Sequence, residues 1–249
     1  MADRRRSPLA HLTADLAATG LLREIPFLRS YEVRGDPTDP ALARLGAALF
    51  PGPLLAAAWP SAGGTTGTGP RYALWCGPGW YLVVDEPVPA PGEAGQAAPG
   101  SGEPGRLLAE ASKAVPAAGG PGPTFAGAVA AVPAAGASGA GLAEAIAAAI
   151  GADGEPIGLS AVDVSASRTV LELSGPQARD VLAHGCALDL HPRVFGPGSC
   201  ARTNLAKAQV ILHQTAPATY RVFVGASFAD YLARWLLDAA VEYVEGEPE

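Results

Sequence analysis

Strand and helix patterns follow each other directly between Val162 and Arg193, and this stretch constrains the fold more than any other. Side chains over residues 168–173 alternate as they do in a β-strand whose two faces differ. One face carries Thr169, Leu171 and Leu173, and the other carries Arg168, Val170 and Glu172. The stretch therefore begins with a strand, which a tight turn connects to a docked helix.

The helix after this strand is predicted from its boundaries and from its apolar face. Ser174 can accept hydrogen bonds from the free amides of a helix start, and Pro176 suits the first turn, where a missing N–H costs nothing. The helix should run to about His184, and Gly185 should then supply a left-handed stop. Three residues form its inward face: Ala178, Val181 and Leu182.

Length and charge limit what the chain can be. It has 249 residues, of which 49% are hydrophobic, so it can form one large domain or two small ones. The net charge of −7 argues against nucleic acid or an anionic membrane as the main partner. The basic run Arg4–Arg6 is short, and the polar region behind it does not fit an export signal.

The cysteine content and the lack of a long apolar run bear on location. Cys76, Cys186 and Cys200 are an odd and widely spaced set, which is not typical of a disulfide framework. Free thiols are typical of reduced cytosolic proteins. No apolar run in the sequence is long enough to cross a bilayer. We therefore expect a cytoplasmic protein.

Residues 1–85 are predicted to form an N-terminal α+β part. Leucines spaced to share one face predict two helices: Leu9, Leu12 and Leu16 over 9–19, and Leu42, Leu45 and Leu49 over 40–50. Alternation predicts a strand over 27–34, with Phe27, Tyr31 and Val33 on one side. Gly20 should end the first helix. A strand over 54–59 and a flexible loop over 63–70 should follow.

A β-hairpin and a long insertion come next. The apolar runs 72–76 and 81–84 flank Gly77-Pro78-Gly79, and glycine supplies the positive φ that a tight hairpin turn needs. Between 86 and 141, proline, glycine and alanine dominate, and large apolar side chains are rare. Such a segment buries too little surface to offset its ordering entropy, so we expect a mostly disordered insertion with a weak helix over 106–115.

Residues 142–249 are predicted to form a C-terminal α+β part. A helix over 142–150 should precede the central stretch, and strands over 202–213 and 220–224 should follow it. In the last helix, Ser227 should act as the N-cap, with Asp230 three residues on. Its apolar face should comprise Phe228, Tyr231, Leu232, Trp235, Leu236 and Ala239. The order of elements predicts an α+β fold with helices packed on largely antiparallel sheets.

Two groups of residues suggest a metal site or a nucleophile. His184, Cys186, His191 and Cys200 lie close in sequence, but their spacing matches no common zinc pattern. Cys200 and His213 could act as nucleophile and base, although no motif supports this and buried structural cysteine is far commoner.

Two glycine-rich loops suggest phosphate binding. Gly67–Gly69 and Gly196–Ser199 lack the third glycine of a dinucleotide loop and the lysine of a P-loop. They are interpreted as turns. Because no Rossmann or flavin fingerprint is present in the sequence, we do not expect this chain to hold FAD or NAD by itself.

Two aspartates are candidate general bases. Asp163 lies near Arg168, and Asp189 lies near Arg193. An ordinary ion pair or a turn cap is the expected role of each. From these arguments no catalytic, cofactor-binding or metal-binding residue is assigned to this chain.

The central stretch and the segments after it also carry a family resemblance. These segments are Asp163–Ser165, Arg168–Thr169, Leu171–Pro176, Asp189–Pro192, Gly198–Ala201 and Ser227–Leu232. They resemble the gamma subunit of heterotetrameric sarcosine oxidase, nearly continuously from Val162 to Ala240, with weaker likeness at Ser7–Leu9 and Ala73–Trp75. More distantly, the pattern is similar to the folate-binding aminomethyltransferase fold of the glycine-cleavage T-protein.

The resemblance implies a role within a larger enzyme. Heterotetrameric sarcosine oxidase oxidises sarcosine to glycine with flavin and oxygen and makes hydrogen peroxide. The methyl carbon leaves as formaldehyde or passes to tetrahydrofolate as 5,10-methylenetetrahydrofolate. FAD, FMN, NAD and tetrahydrofolate belong to the alpha and beta subunits, and zinc belongs to delta. The gamma chain is then expected to be a non-catalytic structural subunit.

One sequence feature separates this hypothesis from its alternatives. Residues 199–214 match the region where the aminomethyltransferase family carries its catalytic carboxylate, and they contain no Asp or Glu. A folate reaction needs a negative charge there. A stand-alone folate-dependent aminomethyltransferase is therefore the less favoured hypothesis, and a scaffold protein of an unrelated complex is the third.

A structural subunit should present apolar residues to its partners, since obligate interfaces resemble a divided core. The expected interface residues are Trp75, Trp80, the loop from Leu188 to Phe195 and the outward side of the last helix. Internal packing is the alternative role for each of them.

Overall fold

The computed structural model describes residues 6–50, 65–66, 71–86 and 158–243. Within these ranges the strands are β1 Leu22–Ile25, β2 Arg29–Arg34, β3 Thr65–Thr66, β4 Arg71–Gly77, β5 Trp80–Asp85, β6 Ser160–Asp163, β7 Arg168–Ser174, β8 Cys200–Leu205, β9 Ala208–Ala216 and β10 Thr219–Gly225. The α-helices are α1 Thr13–Ala18, α2 Pro40–Leu49, α3 Ala178–Ala183 and α4 Ala226–Ala240, and a 3₁₀ turn spans Val241–Tyr243.

The strands form two five-stranded sheets. Sheet A has the order β1-β7-β10-β9-β8, and sheet B has the order β3-β4-β5-β2-β6. Every strand pairing within them is antiparallel. Each sheet contains strands from both ends of the sequence, because β1 joins sheet A and β6 joins sheet B. The predicted α+β class with antiparallel sheets is confirmed.

Helices cover the outer face of each sheet. Helices α1, α3 and α4 pack on sheet A through residues such as Leu16, Val181 and Leu232, which meet Leu171 and Val222 of the sheet. Helix α2 packs on sheet B through leucines that meet Val33 and Val83. Burying an apolar side chain of this size stabilises the fold by about 1.5–3 kcal/mol.

The inner faces of the two sheets pack against each other. Here we call the layer between them the intersheet layer. Its apolar centre consists of Leu28, Tyr72, Leu74, Cys76, Leu82, Val84, Val170, Cys200, Ile211 and Phe223. Strand β7 is buried on both faces, since Val170 faces this layer and Leu171 faces the helices. The predicted division of the β7 side chains between two faces is thus confirmed.

Several predicted elements are present with the expected bounds. The hairpin of β4 and β5 closes at Gly79, whose φ is +63°. Helix α2 buries Leu42, Leu45 and Leu49, as its spacing predicts. The predicted strand over 54–59, the helices over 106–115 and 142–150, and the insertion beyond Glu86 lie outside the described residues.

The N-terminal prediction is wrong in two places. Helix α1 begins at Thr13, not at residue 9, although Leu9 and Leu12 are buried as predicted. Phe27 adopts a φ of +60° and lies exposed, so it cannot belong to the strand, which begins at Arg29. A preceding strand, β1, was not predicted because its four residues show no clear alternation.

The turn between β7 and α3 also differs from the prediction. Gln177, not Ser174, is the N-cap residue, and no side chain caps the helix. Gly185 does not have the positive φ that was predicted, whereas Gly175 has a φ of +125°. Gly185 is required for space instead, because an added Cβ would lie 2.5 Å from the Trp235 ring and 3.0 Å from the backbone nitrogen of Ala206.

The strand predicted over 202–213 is in fact a hairpin. Strands β8 and β9 are joined through Ala206, whose φ is +51°. No Gly, Pro or Asn marks this turn in the sequence, so turn chemistry could not reveal it. Thr65–Thr66, within the predicted loop over 63–70, pairs with β4 as strand β3.

The buried face of helix α4 differs from the apolar face that the sequence predicts. Its buried residues are Ala229, Leu232, Ala233, Leu236 and Ala240. Phe228 and Tyr231, which belong to the apolar face predicted to cover a sheet or a partner subunit, are 48% and 37% exposed. Gly225 is the N-cap residue, and the predicted cap by Ser227 is absent. Small alanines let α4 lie close to sheet A, and this turns the aromatic side chains outward.

Candidate functional site

A buried ionic cluster closes one end of the intersheet layer. It consists of Arg23, Tyr72, Glu86, Glu172 and Arg221. Arg221 Nε donates to Glu172 Oε2 at 3.0 Å, and its Nη1 donates to the Tyr72 hydroxyl at 3.2 Å. Glu86 also accepts from Arg221, and Arg23 Nε donates to Glu172 Oε1 at 2.6 Å. The cluster thus links strands of both sheets through one guanidinium.

The charges within this cluster balance. Two arginines face two carboxylates, and the shared guanidinium is only 15% exposed. Burial opposes the charge of Arg221, but Tyr72 and the two carboxylates more than offset this, so its pKa is raised. Burial likewise raises the pKa of Tyr72. Both groups keep their protons at neutral pH, so the arrangement suits structural cohesion better than acid–base chemistry.

His213 borders the ionic cluster and carries a buried nitrogen without a partner. Its ring lies 5.4 Å from the Tyr72 ring, and it stands opposite Arg221 on the neighbouring strand. Nδ1 has no hydrogen-bond partner among the described residues. Burial, and then the charge of Arg221, lower the pKa of His213 to about 4. The imidazole is therefore neutral at physiological pH.

The predicted nucleophile and base are brought together, but not in a reactive form. Cys200 and His213 are directly opposed on β8 and β9. The Cys200 thiol donates to the backbone carbonyl of Trp75 at 3.3 Å. Burial raises the pKa of Cys200 to about 12 and has the same effect on Cys76. A thiol that stays protonated is a poor nucleophile, which agrees with the structural role expected for Cys200.

Thiol labelling tests this assignment. All three cysteines are buried and lie outside any disulfide bond. We expect iodoacetamide at pH 8 to leave Cys76 and Cys200 unmodified in the folded chain and to modify both after unfolding in urea, because the thiolate is the reactive form. Mass spectrometry of peptides would locate the label. Rapid modification of Cys200 in the folded chain would contradict its burial and restore the nucleophile hypothesis.

The residues of the suggested metal set do not converge. His184 Nε2 lies 3.0 Å from the Tyr243 hydroxyl, and His191 Nδ1 accepts from the backbone of Arg193. Cys186 packs on the helical side of sheet A, whereas Cys200 lies in the intersheet layer. No group of three potential metal ligands forms among the described residues.

The two aspartates act as turn caps, as expected. Asp163 Oδ1 accepts from the Ser165 amide at 2.9 Å, and hydrogen bonds from Ser165 lower the pKa of this carboxyl group. Asp189 Oδ1 accepts from the His191 amide at 2.9 Å. Neither forms the expected arginine pair in the described residues, since Arg168 pairs with Glu32 instead.

The glycine loops offer no anion site in the described part of the chain. In the loop 196–199, the Gly196 amide donates to Ser199 Oγ at 3.2 Å, and the Ser199 amide donates to the Gly196 carbonyl at 2.9 Å. Amides that are bonded within the loop cannot cradle a phosphate. Gly67–Gly69 lies outside the described residues.

A second polar cluster closes the opposite end of the intersheet layer. We call it the arginine–tryptophan cluster; it comprises Glu32, Arg34, Trp80, Arg168 and Arg202. The guanidinium carbons of Arg34 and Arg202 each lie 4.4 Å from the centre of the Trp80 ring. Glu32 accepts from Arg34 and lies 3.6 Å from Arg168. Trp80, expected either at an interface or in packing, thus contacts arginines of both sheets.

The other expected interface residues differ in exposure. Leu190 and Phe195 are buried, whereas Val194 between them in the loop is exposed. Phe228 and Tyr231 are exposed on α4. The outward side of α4 and part of the loop thus remain interface candidates.

Comparison with known proteins decides the family. The model of the sarcosine oxidase gamma subunit family matches residues 138–242. The gamma subunit of sarcosine oxidase from Corynebacterium sp. (strain U-96) is 31% identical over 250 residues, covering 98% of this chain and 93% of that protein. The chain belongs to the sarcosine oxidase gamma subunit family. The gamma subunit from Arthrobacter sp. is 32% identical, over 96% of this gamma-family chain and 91% of that protein.

A solved structure of a sarcosine oxidase agrees with the family assignment. A chain of the heterotetrameric sarcosine oxidase from Corynebacterium sp. U-96, solved in complex with pyrrole 2-carboxylate, matches with a TM-score of 0.67 and 28% identity. The match covers 98% of this gamma-family chain and 99% of that chain. The similarity to aminomethyltransferase T of the glycine cleavage system from Bartonella henselae is distant, with 14% identity and a TM-score of 0.45 over 92% of this chain and 49% of that chain.

No motif in the sequence indicates the two polar clusters of this gamma-family chain. Glu172 and Arg221 lie on strands that were predicted, and a charge on a covered strand face requires a partner. A charged residue on a covered strand face is therefore the sequence signal that could have indicated these clusters. The identity of each partner follows only from the packing of sheet B against sheet A, which places Tyr72 and Glu86 next to Arg221.

Proposed function

We propose that this chain is the gamma subunit of a heterotetrameric sarcosine oxidase, in which it is a non-catalytic structural subunit. The observation that carries the proposal is a similarity to curated gamma subunits that extends over 98% of the chain. The charge-balanced buried cluster supports a structural role, because its groups are bound to one another.

The proposed complex oxidatively demethylates sarcosine to glycine, with hydrogen peroxide and either formaldehyde or 5,10-methylenetetrahydrofolate as further products. The alpha and beta subunits would bind FAD, FMN, NAD and tetrahydrofolate, and the delta subunit would bind zinc. We expect the complex in the cytoplasm, which suits a chain whose three cysteines form no disulfide bond. The proposed organisation of this chain is an N-terminal part (1–85), an insertion (86–141) and a C-terminal part (142–249).

The described residues do not fit a bound folate. Residues 199–214 form the hairpin of β8 and β9 without any acidic side chain. Three carboxylates that border the intersheet layer, Glu32, Glu86 and Glu172, are each paired with arginines. A pterin would require a carboxylate that is free to accept its N–H groups.

The proposal is tested by co-purification. An affinity tag on this chain should retain the alpha, beta and delta subunits from native lysate, and mass spectrometry should identify them. The complex should show flavin absorbance and sarcosine-dependent peroxide, and the chain expressed alone should show neither. Failure to retain the other subunits would overturn the proposal, as would flavin absorbance from the chain alone.

The alternative, a stand-alone folate-binding aminomethyltransferase-like protein, is not favoured because the relatives are sarcosine oxidase gamma subunits. It predicts micromolar binding of tetrahydrofolate by the isolated chain. Titration calorimetry with reduced folate separates the two hypotheses, since the gamma-subunit proposal predicts no binding heat.

A further inference from the structure

The arginine–tryptophan cluster has an excess of positive charge. Arg34, Arg168 and Arg202 face one carboxylate, Glu32, so the cluster carries two uncompensated positive charges. Arg202 has no ion-pair partner in the described part of the chain; its guanidinium donates to Gln209 and lies over the Trp80 ring. This excess stands out in a chain whose net charge is −7. The ionic cluster at the other end of the layer is balanced, which shows that charge excess is not a general feature of this layer.

The cluster is also held in a fixed geometry. Arg34 and Trp80 are directly opposed on β2 and β5 of sheet B, whereas Arg202 lies on β8 at the edge of sheet A. A guanidinium held over an indole has restricted freedom, and the N–H groups of Arg202 that do not reach Gln209 remain available to a carboxylate, whereas Arg34 already donates to Glu32. Both stacked arginines are exposed. Little side-chain entropy therefore remains to be lost when an acidic group binds.

We propose that the arginine–tryptophan cluster is a docking point for an acidic segment of a partner subunit, in which a carboxylate pairs with Arg202. Charge complementarity selects this occupant. A polyanion such as nucleic acid is disfavoured by the net charge of the whole chain. Arginine and tryptophan are also the residues that most often dominate protein–protein binding energy.

This inference rests on the proposed function, because the partner is another subunit of the same complex. The first test replaces Arg202→Lys and treats the assembled complex with a water-soluble carbodiimide, which joins an amine to a carboxylate in direct contact. Peptide mass spectrometry should find an amide link between position 202 and an aspartate or glutamate of another subunit. A link only to Glu32 of the same chain would overturn the inference.

The second test compares two substitutions that remove one positive charge each. Arg202→Gln should raise the fraction of this chain released from the complex at a given salt concentration by about tenfold, the effect of one lost charge-assisted hydrogen bond. Arg29→Gln is the matched control, since Arg29 is exposed on the same strand as Arg34 but on the opposite face of sheet B. Equal release for the two variants would overturn the inference.

The two tests separate this inference from the proposed function. If the unmodified chain does not co-purify with other subunits, the proposed function fails, and the docking assignment fails with it. If the chain assembles but the cross-link and the salt sensitivity are absent, only the docking assignment fails.

Discussion

Replacing Arg221 with methionine should lower the free energy of unfolding by about 3–5 kcal/mol, because the change leaves buried carboxylates without their shared counter-ion. Glu172 is only 7% exposed and would retain a single partner, Arg23, whose own side chain is mostly in solvent. Glu86 and the Tyr72 hydroxyl would each lose the donor that reaches them. Urea unfolding at pH 7, followed by circular dichroism, measures the loss.

A double substitution distinguishes a broken pair from a general packing defect. Arg221→Met combined with Glu172→Leu removes both charges of the Arg221–Glu172 pair, so the combined loss should be smaller than the sum of the two single losses. Strict additivity would contradict a direct interaction between the two side chains.

An exposed ion pair provides the matched control. Arg234 Nε lies 3.1 Å from Asp230 Oδ2 on α4, and both side chains are largely exposed. Solvent screens such a pair, so Arg234→Met should change stability too little to resolve. If Arg221→Met proved equally harmless, Arg221 would have to be hydrated in the folded chain.

The elements that sequence analysis predicted well are those with a complete local signal. The hairpin of β4 and β5 has two apolar runs and a glycine turn, and α2 has leucines spaced on one face. The hairpin of β8 and β9 lacked such a signal, since Ala206 forms its turn without Gly, Pro or Asn. Strand β3 has two residues, too few for any periodicity.

Helix α4 shows that a hydrophobic pattern does not identify what covers an apolar surface. The aromatic residues Phe228 and Tyr231 dominate its apolar pattern, but alanines occupy much of the face that packs on sheet A. A hydrophobic pattern identifies surfaces that avoid water, whether a neighbouring sheet or another subunit covers them. In a member of a subunit family the two cannot be separated from one sequence.

The polar clusters could not be predicted because their partners are distant in the chain. Arg221 bonds to Glu172, 49 residues away, and to Tyr72, 149 residues away. The strands that carry these residues are predictable from their patterns, but only strand pairing and the packing of the two sheets bring them to one end of the layer. The sequence alone shows that residues 199–214 contain no carboxylate, because this observation needs only one segment of the chain.

Stability should fall by about 3 kcal/mol between pH 7 and pH 4 through His213 alone. The unfolded chain binds this proton near pH 6.5, whereas burial and Arg221 lower the pKa in the folded chain to about 4. Between these values the unfolded state holds more protons, so stability declines as the pH falls. Above pH 7 the residue is neutral in both states and contributes no pH dependence.

The groups that face His213 explain why it resists protonation. Arg221 stands opposite it on β10, Cys200 stands opposite it on β8, and the Tyr72 ring packs against it from sheet B. The thiol and the phenol are neutral at these pH values, so the only charge among these three groups is positive. An imidazolium here would be buried beside a guanidinium without a carboxylate of its own.

The measurement compares unfolding free energies of the wild-type chain and His213→Gln from pH 7 to pH 4. Carboxylates titrate equally in both proteins, so the difference between the two curves isolates His213. The variant should lose less stability on acidification, by about the 3 kcal/mol assigned to this residue. His191→Gln is the control, because it replaces an exposed imidazole with the same amide side chain and leaves the intersheet layer untouched. Parallel curves for wild type and His213→Gln would mean that His213 accepts its proton as readily in the folded chain as in the unfolded one.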